Sequence, residues 1–152
     1  MKRLISIILV LLVYIVPIKG EDYQDIILKK TNKARVEKHL KPLKMDSKLN
    51  KIAMEKAKDM AKNQELSHNS PKFGTTFNLM KKKGIKYSAA GENIARWHST
   101  PEFVVERWLK SKGHRKNILN PEYTQIGIGR AKDKNGKNYW VQVFIKEKVK
   151  KN

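Results

Sequence analysis

Tyr139-Trp140-Val141-Gln142-Val143-Phe144-Ile145 decides the fold. Tyr139, Val141, Val143 and Ile145 alternate with Trp140 and Phe144, so a strand through this stretch is largely apolar on both faces. Such a strand needs cover on both sides. Just upstream, Ile126-Gly127-Ile128-Gly129 reads as a second strand, and Asn135-Gly136 between the two supplies a turn pair for a hairpin. The strands are too few to cover each other, so the remaining chain must supply helices on both faces. The expected class is α+β, with an α/β/α sandwich enclosing a short antiparallel sheet.

The helices are legible from their stripes and caps. Tyr23 to about His39 places Ile26, Ile27, Ala34 and Leu40 among charges and ends before Lys41-Pro42. Asp46 or Ser47 can cap a second helix whose Leu49, Ile52, Ala53, Ala57, Met60 and Ala61 form one stripe. Thr75 to Lys83 is a shorter helix, with Phe77 and Met80 expected inward and Gly84 as its stop. Ser99-Thr100-Pro101-Glu102 combines a hydroxyl cap, a first-turn proline and an acid at the positive end of the dipole. The helix it opens carries Val104, Val105, Trp108 and Leu109 and is expected to break at Gly113. Trp97, Trp108 and Trp140 are expected in the core or the wall of a cleft.

Composition narrows the class. The chain has 152 residues, 39% of them hydrophobic and 32% charged, which excludes a polytopic membrane protein and a wholly disordered chain. It has no cysteine, which removes disulfides, thiolate metal sites and thiol catalysis. Lys2 and Arg3 precede an apolar run from Leu4 to Val16, and Pro17-Ile18-Lys19-Gly20 leads into Glu21-Asp22. This is the layout of a secretory signal over 1–20, with an uncleaved anchor as the alternative and a single domain over 21–152. Removal of 1–20 takes away Lys2, Arg3 and Lys19 and lowers the net charge from +20 to +17.

Three polar segments serve neither helix nor strand packing: 66–70 with His68, 90–95 with Glu92 and Asn93, and 111–117 with Ser111, His114 and Asn117. Each is expected at the end of an element, where loops present side chains to a shared cleft. Two imidazoles and a carboxylate so placed can hold a divalent metal or act as acid and base. The same residues also have ordinary structural uses, as hydrogen-bonded histidines, a turn cap at Glu92 and a backbone clamp at Asn93. No phosphate loop and no Gly-x-Ser-x-Gly elbow is present.

Four strings in order, SHNSPKFGTTFNLMKKKGI (67–85), AAGENIA (89–95), PEFVVERWLKSKGHRKNILNPEYTQIGIG (101–129) and YWVQVFI (139–145), resemble the CAP superfamily, or SCP-domain proteins. The similarity is greatest to short exported bacterial members and covers about residues 24 to 146. It implies the family's α/β/α sandwich and a cleft of two His and two acids, of which His68, Glu92 and His114 match by motif. In eukaryotic members the second Glu follows the helix Trp by three residues. That position here is Ser111, as in many bacterial relatives, and Glu106 on the preceding turn does not replace it. The resemblance thus implies an incomplete tetrad. His68, Glu92 and His114 are the candidate ligands for zinc or another divalent cation and the candidate catalytic groups, with Asn93, Ser111 and Asn117 around them.

The functional expectation is a secreted or envelope-associated, monomeric binding domain with a conditional metal or small-ligand cleft, lipid included. A hydrolase in which Glu92 acts as base and Ser111 or Asn93 orients a peptide or ester is the alternative. A third reading is a charge-driven binder of anionic wall polymer or lipid through Lys81-Lys82-Lys83, the group Lys110, Lys112, Arg115 and Lys116, and the basic tail 146–152. Nucleic acid is not an expected partner, because export separates it from the protein and no recognition motif appears.

Overall fold

The computed structural model describes residues 21–148; the expected signal segment 1–20 and the last four residues of the basic tail lie outside the described residues. In chain order the elements are α1 (Tyr23–Val36), β1 (Lys44–Met45), α2 (Ser47–Asn63), β2 (Asn69–Ser70), β3 (Gly74–Thr75), α3 (Thr76–Lys82), β4 (Tyr87–Arg96), α4 (Pro101–Lys110), α5 (Lys112–Ile118), β5 (Gln125–Lys132) and β6 (Asn138–Glu147). The main sheet has the order β1-β5-β6-β4. Its three longer strands are antiparallel, and the two-residue β1 adds a parallel pairing to β5.

The doubly apolar β6 organises the sandwich. Tyr139, Val141, Val143 and Ile145 pack with Leu49, Ile52, Ala53, Ala57 and Met60 of α2 and Leu79 and Met80 of α3. Trp140 and Phe144, on the other face, pack with Ile27 of α1, Val104, Val105 and Trp108 of α4 and Ile118 of α5. The residues named in both clusters lie within 21–148, so a chain beginning at Glu21 contains all of them. The layers close tightly on one side because β5 turns Gly127 and Gly129 toward α2. A Cβ at Gly127 would lie 2.2 Å from the Leu49 carbonyl carbon, and one at Gly129 would lie 2.3 Å from that of Ala53. Past β1 the free edge of β5 is satisfied by side chains: Ile128 N–H donates to Asn50 Oδ1 at 2.9 Å, and Gln24 Nε2 donates to the Ile128 carbonyl at 2.7 Å.

The caps of α2 and α4 fall where the sequence places them: Asp46 accepts from Leu49 N–H and Thr100 from Phe103 N–H, and Thr75, read as the start of α3, is its cap and accepts from Asn78 N–H. Gly84 and Gly136 have the positive φ that their stop and turn require.

Several expectations are corrected. Residues 90–95 are not an element end but the buried middle of β4, where Gly91 to Ala95 pair with β6. Their polar composition hid the strand because Glu92 and Asn93 are buried in hydrogen bonds rather than solvated. α1 stops at Val36, since His39 turns into the left-handed region at φ 59°. The break after α4 falls at Ser111, which is extended, and Gly113 continues inside α5, so His114 and Asn117 stand on a helix rather than a loop. In α3 it is Leu79 that turns inward with Met80, leaving Phe77 exposed. Trp97 is 57% exposed and belongs to no core, in contrast to Trp108 and Trp140.

Candidate functional site

β4 is an edge strand, and its alternation sends consecutive polar side chains to opposite layers. Glu92 turns toward the α2/α3 layer, where Thr76, the first residue of α3, donates its hydroxyl to Oε2 and His68 Nδ1 lies 2.6 Å from Oε1. A carboxylate oxygen only accepts, so the His68 imidazole donates from Nδ1, and in its neutral form Nε2 is the acceptor or ligand atom. The Glu92 side chain is only 3% exposed and that of His68 is 63% exposed. The buried carboxylate therefore fixes one face of an imidazole whose other face meets solvent. His68 itself is set by the small β2–β3 hairpin that follows it, whose turn is closed by the Ser70 hydroxyl accepting from Lys72 and Phe73 N–H.

Asn93 turns to the other layer. Its Nδ2 donates to the His114 carbonyl and to Gln142 Oε1, both at 3.1 Å, and its Oδ1 accepts from Asn117 Nδ2 at 2.9 Å. Asn117 Nδ2 also donates to the Glu92 carbonyl at 3.0 Å, and Gln142 passes the chain on to the buried Thr31 hydroxyl. These bonds fasten α5 to the strand that carries Glu92. The close fit continues at Gly91, where a Cβ would lie 2.3 Å from the Tyr123 hydroxyl and 3.3 Å from Asn117 Oδ1. His68 and His114 thus come from opposite helical layers, to either side of β4. Burial pushes the His114 imidazole below its ordinary value, and the charge of His68 adds to that shift.

Ser111 is bonded only as the junction of α4 and α5, donating N–H to the Trp108 carbonyl and accepting from Arg115 N–H, and none of these bonds ties it to His68, Glu92 or His114. Among the described residues, no group of three or more His, Asp and Glu side chains is arranged to hold a metal ion. Glu92 turns its two oxygens to His68 and Thr76. His68, Glu92 and His114 therefore do not form a three-ligand cage here. The donors free to meet a cation are imidazole nitrogens, with Glu92 behind one of them as its hydrogen-bond acceptor.

The sequence reading missed Thr76, Gln142 and Lys56. Gln142 had a signal, since it interrupts the apolar Trp140/Phe144 face of β6. Thr76 could be found only from the contact itself, because a hydroxyl opening a helix reads as part of its cap. Lys56 sits fully buried on α2, with its Nζ free of hydrogen-bond partners and 5.8 Å from the Phe73 ring centroid. Burial pushes its ammonium below the ordinary lysine value, while Glu92, Asp59 and Glu65 oppose that shift.

His114 makes the site sensitive to acid. Its folded imidazole binds a proton less readily than the unfolded one, so the unfolded state takes up more protons as the pH falls below the ordinary 6.5. Stability should fall through that window and level off below the depressed folded value. Urea midpoints between about pH 7.5 and about pH 5 should drop less in His114→Asn than in the wild type. Equal slopes would show that His114 is not the titrating group.

Comparisons with known proteins agree with this architecture. The family model described as "CAP: Cysteine-rich secretory protein family" matches residues 28–144. The chain is 45% identical over 123 residues to the uncharacterized protein YkwD of Bacillus subtilis, covering 81% of this chain and 47% of that protein. It is 34% identical to the crystal structure of an extracellular protein containing a SCP domain from Bacillus anthracis, with a TM-score of 0.73, covering 80% of this chain and 39% of that one. An outer surface protein from Borrelia burgdorferi superposes with a TM-score of 0.77 at 26% identity, over 86% of this chain and 97% of that one. The chain thus spans less than half the length of YkwD and of the Bacillus anthracis protein.

Proposed function

Because the chain belongs to the CAP, or cysteine-rich secretory protein, family, we propose that it is an extracellular binding domain whose cleft takes a small ligand or a divalent cation between the imidazoles of His68 and His114. The observation that carries this reading is the 2.6 Å contact between His68 Nδ1 and the buried Glu92 carboxylate. It holds the exposed imidazole in one orientation and one tautomer, which is what a ligand position needs and a solvated surface histidine lacks. His114 supports it from the other side, since burial lowers its affinity for a proton and so favours the form with a lone pair to offer. Extracellular placement is supported by the descriptions of the Bacillus anthracis and Borrelia burgdorferi relatives and by the signal-like segment at 1–20.

With only imidazoles free to bind it, a cation at this position keeps coordination places open. When bound, it would supply positive charge for a carboxylate or carbonyl oxygen of a small ligand. The protein's part is to orient His68 through Glu92 and Thr76 and to hold His114 on α5 through Asn93 and Asn117. Binding is favoured over hydrolysis because Glu92, the group expected to act as base, already has both oxygens engaged.

Zinc added to the chain 21–152 should shift the imidazole resonances of His68 and His114 together. Glu92→Gln should weaken that binding by about 10- to 100-fold, because it removes the acceptor behind His68. Unchanged spectra at both histidines would remove the cation from the proposal. Hydrolysis of peptides or esters that disappears in His114→Ala would replace binding with catalysis.

A further inference from the structure

We propose that the end of the sheet carrying Trp97, Phe103 and Arg96 is a docking face for an anionic lipid bilayer. The face lies where β4 runs out, beyond the cleft, and does not depend on the reading of that cleft.

Trp97 and Phe103 are 57% and 46% exposed, so two large aromatic rings stand in solvent at one end of the molecule. They are held there. Trp97 has φ 71°, a left-handed conformation that a glycine or asparagine adopts far more readily than a tryptophan. Its N–H donates to the Asn138 carbonyl at 2.6 Å. Asn138 Nδ2 donates to the carbonyls of His98 and Ser99, and Trp140 Nε1 donates to the His98 carbonyl at 2.9 Å. The His98 ring meets Phe103 edge-on at 5.2 Å. The loop is therefore a fixed display of apolar surface rather than a segment that can fold its tryptophan inward.

Cations surround the rings. The Arg96 guanidinium lies over the Trp97 indole, 4.3 Å from its centroid, and Arg107 is close enough to help depress the His98 imidazole. Lys132 pairs with Asn138 in the hairpin, and Lys137 precedes Asn138 in the chain. The acids nearest in sequence are Glu92, buried against His68, Glu102, in the first turn of α4, Glu106, 3.9 Å from Lys30 Nζ, and Asp133, whose carboxylate is taken by the N–H groups of Asn135 and Lys137. Aromatic rings flanked by arginine and lysine match a bilayer interface, where rings enter the headgroup layer and cations meet anionic lipid.

The path of the chain singles out a bilayer from other polyanions. Tyr23 meets the Trp140 ring edge-on at 6.1 Å, and Arg130 lies over both rings. Trp140 in turn bonds the carbonyl of His98, the residue after Trp97. The domain is therefore entered beside this face, by a chain whose preceding twenty residues include the apolar run Leu4 to Val16. Where that run is retained as an anchor, it holds the domain with this face nearest the membrane.

Vesicles of phosphatidylcholine with and without phosphatidylglycerol test the proposal on the chain 21–152. Trp108 and Trp140 are buried, so a blue shift of emission on the anionic vesicles alone reports Trp97. Co-sedimentation should fall by about tenfold in Trp97→Asn/Phe103→Ala, which keeps a residue suited to the left-handed backbone, and should weaken in salt. Replacing Lys81, Lys82 and Lys83 by Gln should leave binding unchanged. Binding that survives the aromatic substitutions, or that is lost instead with the three lysines, would overturn the proposal. So would salt-sensitive retention on purified anionic wall polymer with none on vesicles.

Discussion

Arg35→Met should lower the free energy of unfolding by about 3 to 5 kcal/mol, enough to leave the domain barely folded. Arg35 is 1% exposed, and its guanidinium donates to four carbonyl oxygens, those of Lys41, Ile118, Asn120 and Tyr123. One side chain of α1 thereby ties down the approach to β1, the end of α5 and the turn leading into β5. Methionine fills much of the volume but donates nothing, so buried carbonyls are left without partners. Arg35→Lys should recover only part of the loss, because an ammonium cannot span the same fork of acceptors. The effect should reach the cleft, since the same turn carries Tyr123, which packs against Gly91, one residue before Glu92. A urea midpoint change worth less than about 1 kcal/mol would show that water or a backbone shift replaces those bonds.

Gly129→Ala should be comparably damaging, at about 3 kcal/mol or more, although it adds one methyl group. The new Cβ would lie 2.3 Å from the Ala53 carbonyl carbon and 2.4 Å from the Met54 nitrogen, all backbone of α2. A side chain could rotate away from such a contact, but a helix backbone must move as a unit. Moving α2 off β5 would loosen the cluster of Leu49, Ile52, Ala53 and Val141. Gly113→Ala is the control, since nothing lies within 4 Å of a Cβ there and the residue stands inside α5. It should be neutral or slightly stabilising, by up to about 1 kcal/mol. Equal thermal midpoints for Gly129→Ala and the wild type would contradict the close approach of α2 and β5.

The sandwich was legible in β6, because a strand apolar on both faces has few ways to be satisfied. The caps at Asp46 and Thr100 were legible for a local reason: their hydrogen bonds close within three residues. β4 was not, because its polarity pattern reflects long-range partners. Glu92 and Asn93 read as loop residues until Thr76, His68, Gln142 and Asn117 are brought around them. Arg35 was hidden for the same reason, since a basic residue in the last turn of a helix is ordinary until carbonyls from the far end of the chain converge on it. Trp97 was misplaced because area alone argues for burial, and only the backbone at φ 71° and the clamp from Asn138 hold it out. His68, Glu92 and His114 came from a motif resemblance. What their spacing could not convey is that Glu92 is spent on orienting His68 and that the two histidines come from opposite layers, to either side of β4.

The most direct test is the tautomer of His68, read from its ring 15N shifts in the chain 21–152 at mildly alkaline pH with a chelator present. A carboxylate behind Nδ1 predicts the proton on Nδ1 and a bare Nε2 in the wild type, with that preference lost in Glu92→Gln. A bare Nδ1 in the wild type, or a tautomer indifferent to Glu92→Gln, would contradict the claim that the buried carboxylate prepares His68 to bind.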